Sequence, residues 1–388
     1  MLNIGVDFGS TYTTVSVYLE DTQVLEALMM NQASPYVPSV VSAYRGRYEF
    51  GRAAKRLTGN RGASVFKGFK MMLPETGQEE LIRRGFTEEC TPAKITEIFL
   101  ENLLRQVLSD CHEDKISNLV VGVPEIWSDG IKTIDGRTMI RDICTGFDFV
   151  ESVQIVSEPA AASAFFAYNF QMSTGKCFNG KILLIDYGGG TLDITLTDVE
   201  ARGEGVQKSV EIKVDDRTGA GENENGQIGK AGIIYMENVV REAIRQSGIE
   251  EELQCDGKFL KVVDILEEEL QDRTDILEET FEEFGLDYPE ELEEEFTVLE
   301  YKREEVPVTF RMLLDVYDKT IREIFDEKLD EIISYMDLHN INYKERNLDN
   351  FKIALVGGFG NFYLVKQQVK ERFSFSEFDK RQQNIILN

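Results

Sequence analysis

Positive charge is scarce in this sequence. Lysine and arginine number 42 against 70 aspartates and glutamates, a formal net charge of −28. Phosphate backbones repel a surface of that sign, which argues against DNA or RNA as a primary partner. Docking on anionic membranes is equally disfavoured. Small phosphate ligands stay open, because a site can be locally positive or bind through backbone N–H groups. The cysteines (Cys90, Cys111, Cys144, Cys177 and Cys255) are odd in number and scattered, with no C-x-x-C pair. A disulfide framework or zinc site is therefore not expected, and a reducing compartment fits better. The two histidines, His112 and His339, lie in polar stretches and read as surface residues. No run of about 20 apolar residues occurs, and MLNIGVDFGS lacks the basic and apolar regions of a signal peptide. A soluble, cytoplasmic protein is the expectation.

What is present suffices for a large core. At 388 residues, 42% hydrophobic, the chain has room for two or three units of roughly 100–200 residues each. Residues 2–19 read as a hairpin, LNIGVDF and YTTVSVYL flanking a polar turn. Short strands should follow over 24–50, separated by Pro35 and Pro38. TPAKITEIFLENLLRQVLSD has helical spacing, with Thr91 as N-cap before Pro92. NLVVGVP suits a buried strand. A helix is expected through IKTIDGRTMIRDICTGFDF, then a strand at SVQIVSEP and a buried helix over 158–170. KILLIDYGGGTLDITLTDVE repeats the opening pattern: apolar strand, aspartate, glycine turn, second strand. IDYGGGTLDITLT against VDFGSTYTTVSVY is the nearest thing to an internal repeat and suggests two similar lobes. Residues 201–230 read as loop-containing. From about 250 to 305 the chain is acidic and mainly helical, with Leu260, Val263, Leu266, Leu270, Leu277, Phe281 and Phe284 as its apolar face. Residues 306–336 read as a strand leading into a long helix, and 352–373 as strand, glycine turn and helix.

Three segments carry chemistry. In Asp7-Phe8-Gly9-Ser10-Thr11-Tyr12, glycine lets a backbone approach a phosphate chain, hydroxyls and turn N–H groups can donate, and Asp7 can order waters around magnesium. Alone, this could be a plain hairpin with a polar turn. In Asp186-Tyr187-Gly188-Gly189-Gly190-Thr191-Leu192-Asp193, three successive glycines are poor for stability, so their presence suggests something pressing on the backbone. Val356-Gly357-Gly358-Phe359-Gly360, between a buried strand and a helix, suits a ligand lying at a strand's carboxyl end. Neither the dinucleotide G-x-G-x-x-G nor the P-loop string occurs.

Together and in this order, the segments resemble the actin-like ATPase superfamily and, within it, the nucleotide-binding domain of the heat-shock protein seventy chaperones. IGVDFGSTYTTVSV, IVSEPAAASAFF, LLIDYGGGTLDITL and IALVGGFGNFYLVKQQVKERF are similar to that family's first phosphate loop, connecting segment, second phosphate loop and adenosine segment. The likeness extends weakly through VVGVPEIW and residues 308–332. It implies an α/β, actin-like ATPase (ribonuclease H-like) fold, with two lobes around a nucleotide cleft and each lobe split into a large and a small subdomain. The large subdomain of lobe I would be 1–38 with 113–178, and its small one 39–112. The large subdomain of lobe II would be 179–226 with 306–388, and its small, acidic, helical one 227–305.

The resemblance also implies roles. Gly9, Ser10, Thr11 and Tyr12 would bind the β- and γ-phosphates of ATP, and Gly188, Gly189, Gly190 and Thr191 would form a second clamp. Asp7 and Asp186 would hold magnesium through water. Glu158 and Asp193 would position the attacking water, with Thr191 also in the catalytic set. Gly357 and Gly358 would lie against the adenosine. Lys70 would supply the cation that phosphoryl transfer needs. Two positions depart from the family: Lys132 and Asn361 stand where it has arginines. The expected function is a slow magnesium-dependent ATPase module of a chaperone, binding ATP or ADP, monomeric, with protein clients or cochaperones as partners. No β-sandwich peptide-binding segment lies within these residues, so a complete chaperone cycle is not expected from them alone. Three further readings stay open on the sequence: an actin-like filament or cell-division scaffold protein; a small-molecule or acyl-phosphate kinase of the same superfamily with Asp193 as base; and, given Lys132 and Asn361, a degenerate nucleotide binder that no longer hydrolyses.

Overall fold

The computed structural model describes residues 2–19, 24–30, 34–73, 78–128, 135–202, 209–220, 231–249, 257–285, 290–344 and 350–373. The strands are β1 (Asn3–Phe8), β2 (Tyr12–Leu19), β3 (Val24–Ala27), β4 (Val37–Pro38), β5 (Val40–Tyr44), β6 (Arg47–Phe50), β7 (Ala63–Lys67), β8 (Asn118–Val123), β9 (Val153–Ser157), β10 (Asn179–Tyr187), β11 (Leu192–Arg202), β12 (Ser209–Ala220), β13 (Glu295–Tyr301), β14 (Glu304–Thr309) and β15 (Phe351–Val356). The helices are α1 (Gly51–Lys55), α2 (Gln78–Arg83), α3 (Pro92–Cys111), α4 (Gly136–Thr145), α5 (Glu158–Thr174), α6 (Gly232–Gln246), α7 (Gly257–Asp272), α8 (Thr274–Phe284), α9 (Phe310–Tyr317), α10 (Glu323–Leu338) and α11 (Tyr363–Arg372). The chain divides into two compact units, one built mainly from residues through Glu158, with the start of α7 through Leu260 joining it, and the other mainly from Pro159 onward.

In the first unit the main sheet has the order β3-β2-β1-β8-β9, with β4 also paired to β2. β1 buries Ile4, Val6 and Phe8 on one face and turns Asp7 to the other, as a period-two strand must. β1 runs antiparallel to β2 and parallel to β8, so Asp7 lies opposite Thr14 on one side and Gly122 on the other. β6-β5-β7 form a second, smaller sheet. Thr91 caps α3 as its sequence predicts, its Oγ1 accepting from Lys94 N at 3.2 Å. The buried face of α3 brings Phe99 against Phe8 at 5.9 Å and Phe69 at 5.4 Å between ring centroids.

The second unit repeats the scheme. Its main sheet has the order β12-β11-β10-β15, with β10 antiparallel to β11 and parallel to β15. Asp186 lies opposite Asp193 on β11 and Val356 on β15. β13 and β14 form a separate hairpin. An aromatic cluster supports the end of β10. Tyr187 meets Phe325 at 5.1 Å and Phe359 at 5.0 Å, and Tyr235 meets Phe359 at 5.4 Å and Phe362 at 5.1 Å. The Tyr235 hydroxyl donates to the Leu313 carbonyl at 3.0 Å, which meets the needs of a buried phenol. Between α9 and α10 the helix widens over Asp318–Arg322. There the Arg322 carbonyl accepts from Gln368 Nε2 at 3.0 Å, and the Tyr317 hydroxyl donates to Gln368 Oε1 at 2.7 Å.

Four local readings change. Residues 209–220, within the stretch read as loop-containing, form β12, because pairing to β11 along its length supplies the ladder that its polar sequence conceals. Of the helix expected across 131–149, Gly136–Thr145 is helical and 146–149 is not, with Asp135 Oδ1 accepting from Arg137 N at 2.9 Å at its start; 131–134 lie outside the described residues. α5 is apolar all round, yet only half buried. Phe166 and Ala167 pack with Phe178, Ile182 and Leu184, whereas Phe165 and Met172 face solvent. In the acidic region EFTVLEY is strand rather than helix. The buried face of α7 there is Phe259, Val262 and Leu266, displaced from Leu260, Val263 and Leu270, and Phe284 at the end of α8 is exposed. Four cysteines are free thiols among the described residues.

Tyr235→Phe keeps the ring and leaves the Leu313 carbonyl without its donor; the expected loss is about 1–3 kcal/mol in urea unfolding. Tyr235→Ala also opens the aromatic cluster and is expected to lose about 3–5 kcal/mol.

Candidate phosphate site

The turn after β1 is built for close backbone approach. A Cβ on Gly9 would stand 2.1 Å from the Tyr12 carbonyl oxygen, so only glycine fits. Ser39 braces the turn. Its Oγ donates to the Gly9 carbonyl at 2.6 Å and meets Thr13 Oγ1 at 2.9 Å, while its N–H donates to the Thr11 carbonyl at 2.8 Å. With these carbonyls occupied, the N–H groups of Ser10 and Thr11 have no acceptor among the described residues. Thr11 Oγ1 is likewise buried without a hydrogen-bond partner. Unmet donors concentrated in one turn are what a phosphate oxygen satisfies. Tyr12 contributes its backbone to this turn, whereas its ring turns to Tyr36 at 6.4 Å and the Lys55 ammonium at 5.8 Å.

Charge converges beside the turn. Lys70 Nζ donates to Glu158 Oε1 at 2.6 Å, the two side chains being 4% and 15% exposed. Phe69 anchors the lysine's segment by packing against Phe8 at 6.0 Å. Glu158 opens α5 directly after β9. Gly122 on β8 gives it room, since a Cβ there would meet Glu158 Cγ at 3.4 Å. Asp7 is the third member. Its carboxyl is pushed up to about 6, first by lost hydration, then by the Glu158 carboxylate, with Lys70 pulling the other way. Solvent still reaches the residue, so hydration is only partly lost.

In the second unit the turn after β10 is held differently. The carbonyls of Gly188 and Gly189 accept from the first N–H groups of α6, Gly232 at 3.3 Å and Ile233 at 2.8 Å. Gly188 N donates across the turn to the Thr191 carbonyl at 2.9 Å, and the N–H groups of Gly189 and Gly190 have no acceptor among the described residues. None of the three glycines has a positive φ. A Cβ on Gly188 would meet only the Thr191 oxygen, at an ordinary 3.7 Å. The chain itself therefore does not require glycine at 188, unlike at 9. Gly357 is required: its φ is +85°, and a Cβ there would stand 2.5 Å from Asp186 Oδ1. Gly358 has open space around it. Asp193 is buried opposite Asp186, with Gly219 of β12 against its backbone, so two carboxylates share the hairpin's end.

Each unit thus gathers its own share of the expected residues: Asp7, Gly9, Ser10, Thr11, Tyr12, Lys70 and Glu158 in the first, and Asp186, Gly188, Gly189, Gly190, Thr191, Asp193, Gly357 and Gly358 in the second. Asn361 is exposed at the end of a short helical turn; Lys132 lies outside the described residues. Sequence reasoning missed Ser39, Gly122, Gly219, Trp127 and the α6 amides. Of these only Trp127, inside the quoted VPEIW, carried a signal of its own as the single tryptophan. Among the described residues no three or more histidine, cysteine or acidic side chains form a metal cage. Magnesium is held through waters and phosphate oxygens with one or two carboxylates rather than by an all-protein cage; the first unit offers Asp7 at the end of β1, and the second offers Asp186 at the corresponding end of β10.

The model of the family described as Hsp70 protein matches residues 3–225. Similar proteins include heat shock cognate 70 kDa protein 3 of Dictyostelium discoideum, 26% identical over 227 residues, covering 52% of this chain and 34% of that one. Chaperone protein DnaK of Mycoplasmoides gallisepticum is 30% identical over 208 residues, covering 51% of this chain and 31% of its own. Heat shock 70 kDa protein of Ajellomyces capsulatus is 26% identical over 220 residues, covering 51% and 29%. The chain belongs to the Hsp70 family, and its fold is the actin-like ATPase fold. It spans about a third of the length of the curated relatives it matches. The family match ends before β15, so the Gly357-Gly358 segment rests on its parallel register with β10.

Asp7 yields a pH prediction. Its folded-state value, about 6, lies above the ordinary 3.8, so the folded protein holds a proton there that the unfolded chain releases. Ionising Asp7 costs stability, and that cost is complete above the folded value. Asp7→Asn is expected to raise the melting temperature of nucleotide-free protein at about pH 7.5, with the gain shrinking as pH falls through about 6 toward 4. A gain that stays constant over this range would contradict the assignment.

Proposed function

We propose that the chain binds ATP and ADP with magnesium and hydrolyses ATP slowly, as the nucleotide-handling module of an Hsp70-like chaperone. The observation that carries this reading is the buried Lys70–Glu158 pair at 2.6 Å, beside Asp7 and the acceptor-free amides of the first turn. A cation, a carboxylate able to orient water and an array of fixed donors are what phosphoryl transfer to water asks of a protein, because that chemistry is mostly positioning and charge stabilisation. Lys70 would neutralise charge on the transferred phosphoryl group. Glu158, and Asp193 with Thr191 in the second unit, would orient the attacking water. Magnesium, held through waters by Asp7 and Asp186, would offset the charge of the phosphates. Gly358, open to approach, would lie against the adenosine.

The four-part division at 39–112 and 227–305 belongs to the same reading, as do a monomeric state, a cytoplasmic setting and protein clients or cochaperones as partners. Among the described residues no helix is long and apolar enough to cross a membrane. Calorimetry at millimolar magnesium tests the core of the proposal: absence of binding by both ATP and ADP would sink it. Phosphate release separates hydrolysis from transfer to a metabolite, and sedimentation with ATP would expose a filament former.

The two turns should respond differently to alanine. Gly9→Ala is expected to destabilise or prevent folding. Gly188→Ala is expected to hold its stability or gain up to about 1 kcal/mol. It should nevertheless weaken ATP binding by at least about ten-fold, equivalent to ~1.4 kcal/mol. Urea unfolding and calorimetry on the same preparations check both halves.

A further inference from the structure

Trp127 follows β8 in a tight helical turn, its N–H donating to the Pro124 carbonyl at 3.2 Å. The side chain is 8% exposed. Its indole lies flat against the start of α4, where a Cβ on Gly136 would stand 2.9 Å from Cδ2 and Cε3. As a core filler it is a poor choice. Its Nε1 is buried with no hydrogen-bond partner among the described residues, and an unmet buried donor is costly. Phenylalanine would occupy much of the same volume without that cost. What indole adds is the strongest aromatic face for a cation. A buried cation is beside it: Lys70 Nζ stands 6.0 Å from the Trp127 ring and 5.7 Å from the Phe8 ring.

We propose that Trp127 is a positioning residue that, with Phe8, holds the Lys70 ammonium at the phosphate site when Glu158 turns to other work. In the present state the carboxylate at 2.6 Å is the dominant partner of the ammonium. If Glu158 orients water and a phosphate draws on the lysine, that pair loosens. The two rings then keep the ammonium from swinging away, because a desolvated cation near aromatic faces has little to gain by leaving them. On the proposed function Lys70 would meet the transferred, terminal phosphate, so the clamp would act on the preference for ATP over ADP. The inference rests on the proposed function for its consequence, but the contact itself does not.

Trp127 is the single tryptophan, so intrinsic emission reports it alone. In nucleotide-free protein, Lys70→Met is expected to shift that emission, since it removes the charge beside the ring. An unchanged spectrum overturns the proposal. Calorimetry with ATP and ADP tests the consequence. Trp127→Leu should lower the ATP-to-ADP affinity ratio roughly 3- to 10-fold with ADP binding unaltered, and Trp127→Phe about two-fold. Trp127→Phe should at the same time raise the melting temperature, because it deletes the unmet donor. Stability and ATP preference moving in opposite directions supports positioning; both falling together, or equal losses for ATP and ADP, marks a structural role and overturns it. If the unaltered protein binds neither nucleotide, the proposed function falls, and the emission shift alone decides the contact. That measurement leaves Trp127 in place, so it holds whether or not Trp127→Leu folds.

Discussion

Parallel pairing to the first strand of each hairpin is the constraint on which the rest depends. A hairpin alone can present a glycine turn, but it cannot bring a further carboxylate or a second glycine segment to the turn's side. β8 and β15 do that. β8 runs beside β1 so that Gly122 falls opposite Asp7, and Glu158, at the end of the next parallel strand, enters the space Gly122 leaves. β15 runs beside β10 so that its last residue falls opposite Asp186, and the next residue, Gly357, closes over that carboxylate. Both pairings join residues more than a hundred positions apart, and both depend on crossovers that a parallel connection requires.

The electrostatics follow from that convergence. Lost hydration and then a neighbouring carboxylate both penalise an ionised carboxyl, and Asp7 shows the two together. Lys70 offsets part of the repulsion but is committed to Glu158. The cluster is therefore short of positive charge in a chain that is already strongly acidic. Local structure that is costly to the apo protein and relieved by a cation-bearing ligand is a common signature of a binding site. On the proposed function, the acidic balance of the whole chain is compatible with phosphate recognition, because attraction would come from backbone donors and one buried lysine rather than from surface charge.

Much of this was legible in the sequence because the key signals are local. A period-two run ending in Asp7 and a continuous apolar run ending in Asp186 each mark a strand that delivers a carboxylate to its end, and a glycine-bearing turn follows directly. α3 was readable from Thr91 and its periodicity. The illegible parts were those fixed by partners distant in the chain. β12 has a polar sequence and becomes a strand only because β11 offers an edge. The phase of α7 differs from its apolar count because Phe259 and Val262, rather than Leu260 and Val263, turn inward. Ser39 looks like any residue after a proline until the Gly9 and Thr11 carbonyls and the Thr13 hydroxyl arrive around it. Trp127 was visible as a rarity, but its relation to Lys70 exists only in three dimensions.

The two glycine turns differ in what holds their sequence in place. Gly9 is locked by its own fold, so it would persist in a descendant that had given up nucleotides altogether. Gly188 has no such lock. Drift there carries no folding penalty and could even be rewarded, since each glycine costs backbone entropy in the folded state. Gly188 is thus a kind of wear mark: on the proposed function, what keeps it glycine is a ligand outside the chain and not the chain itself.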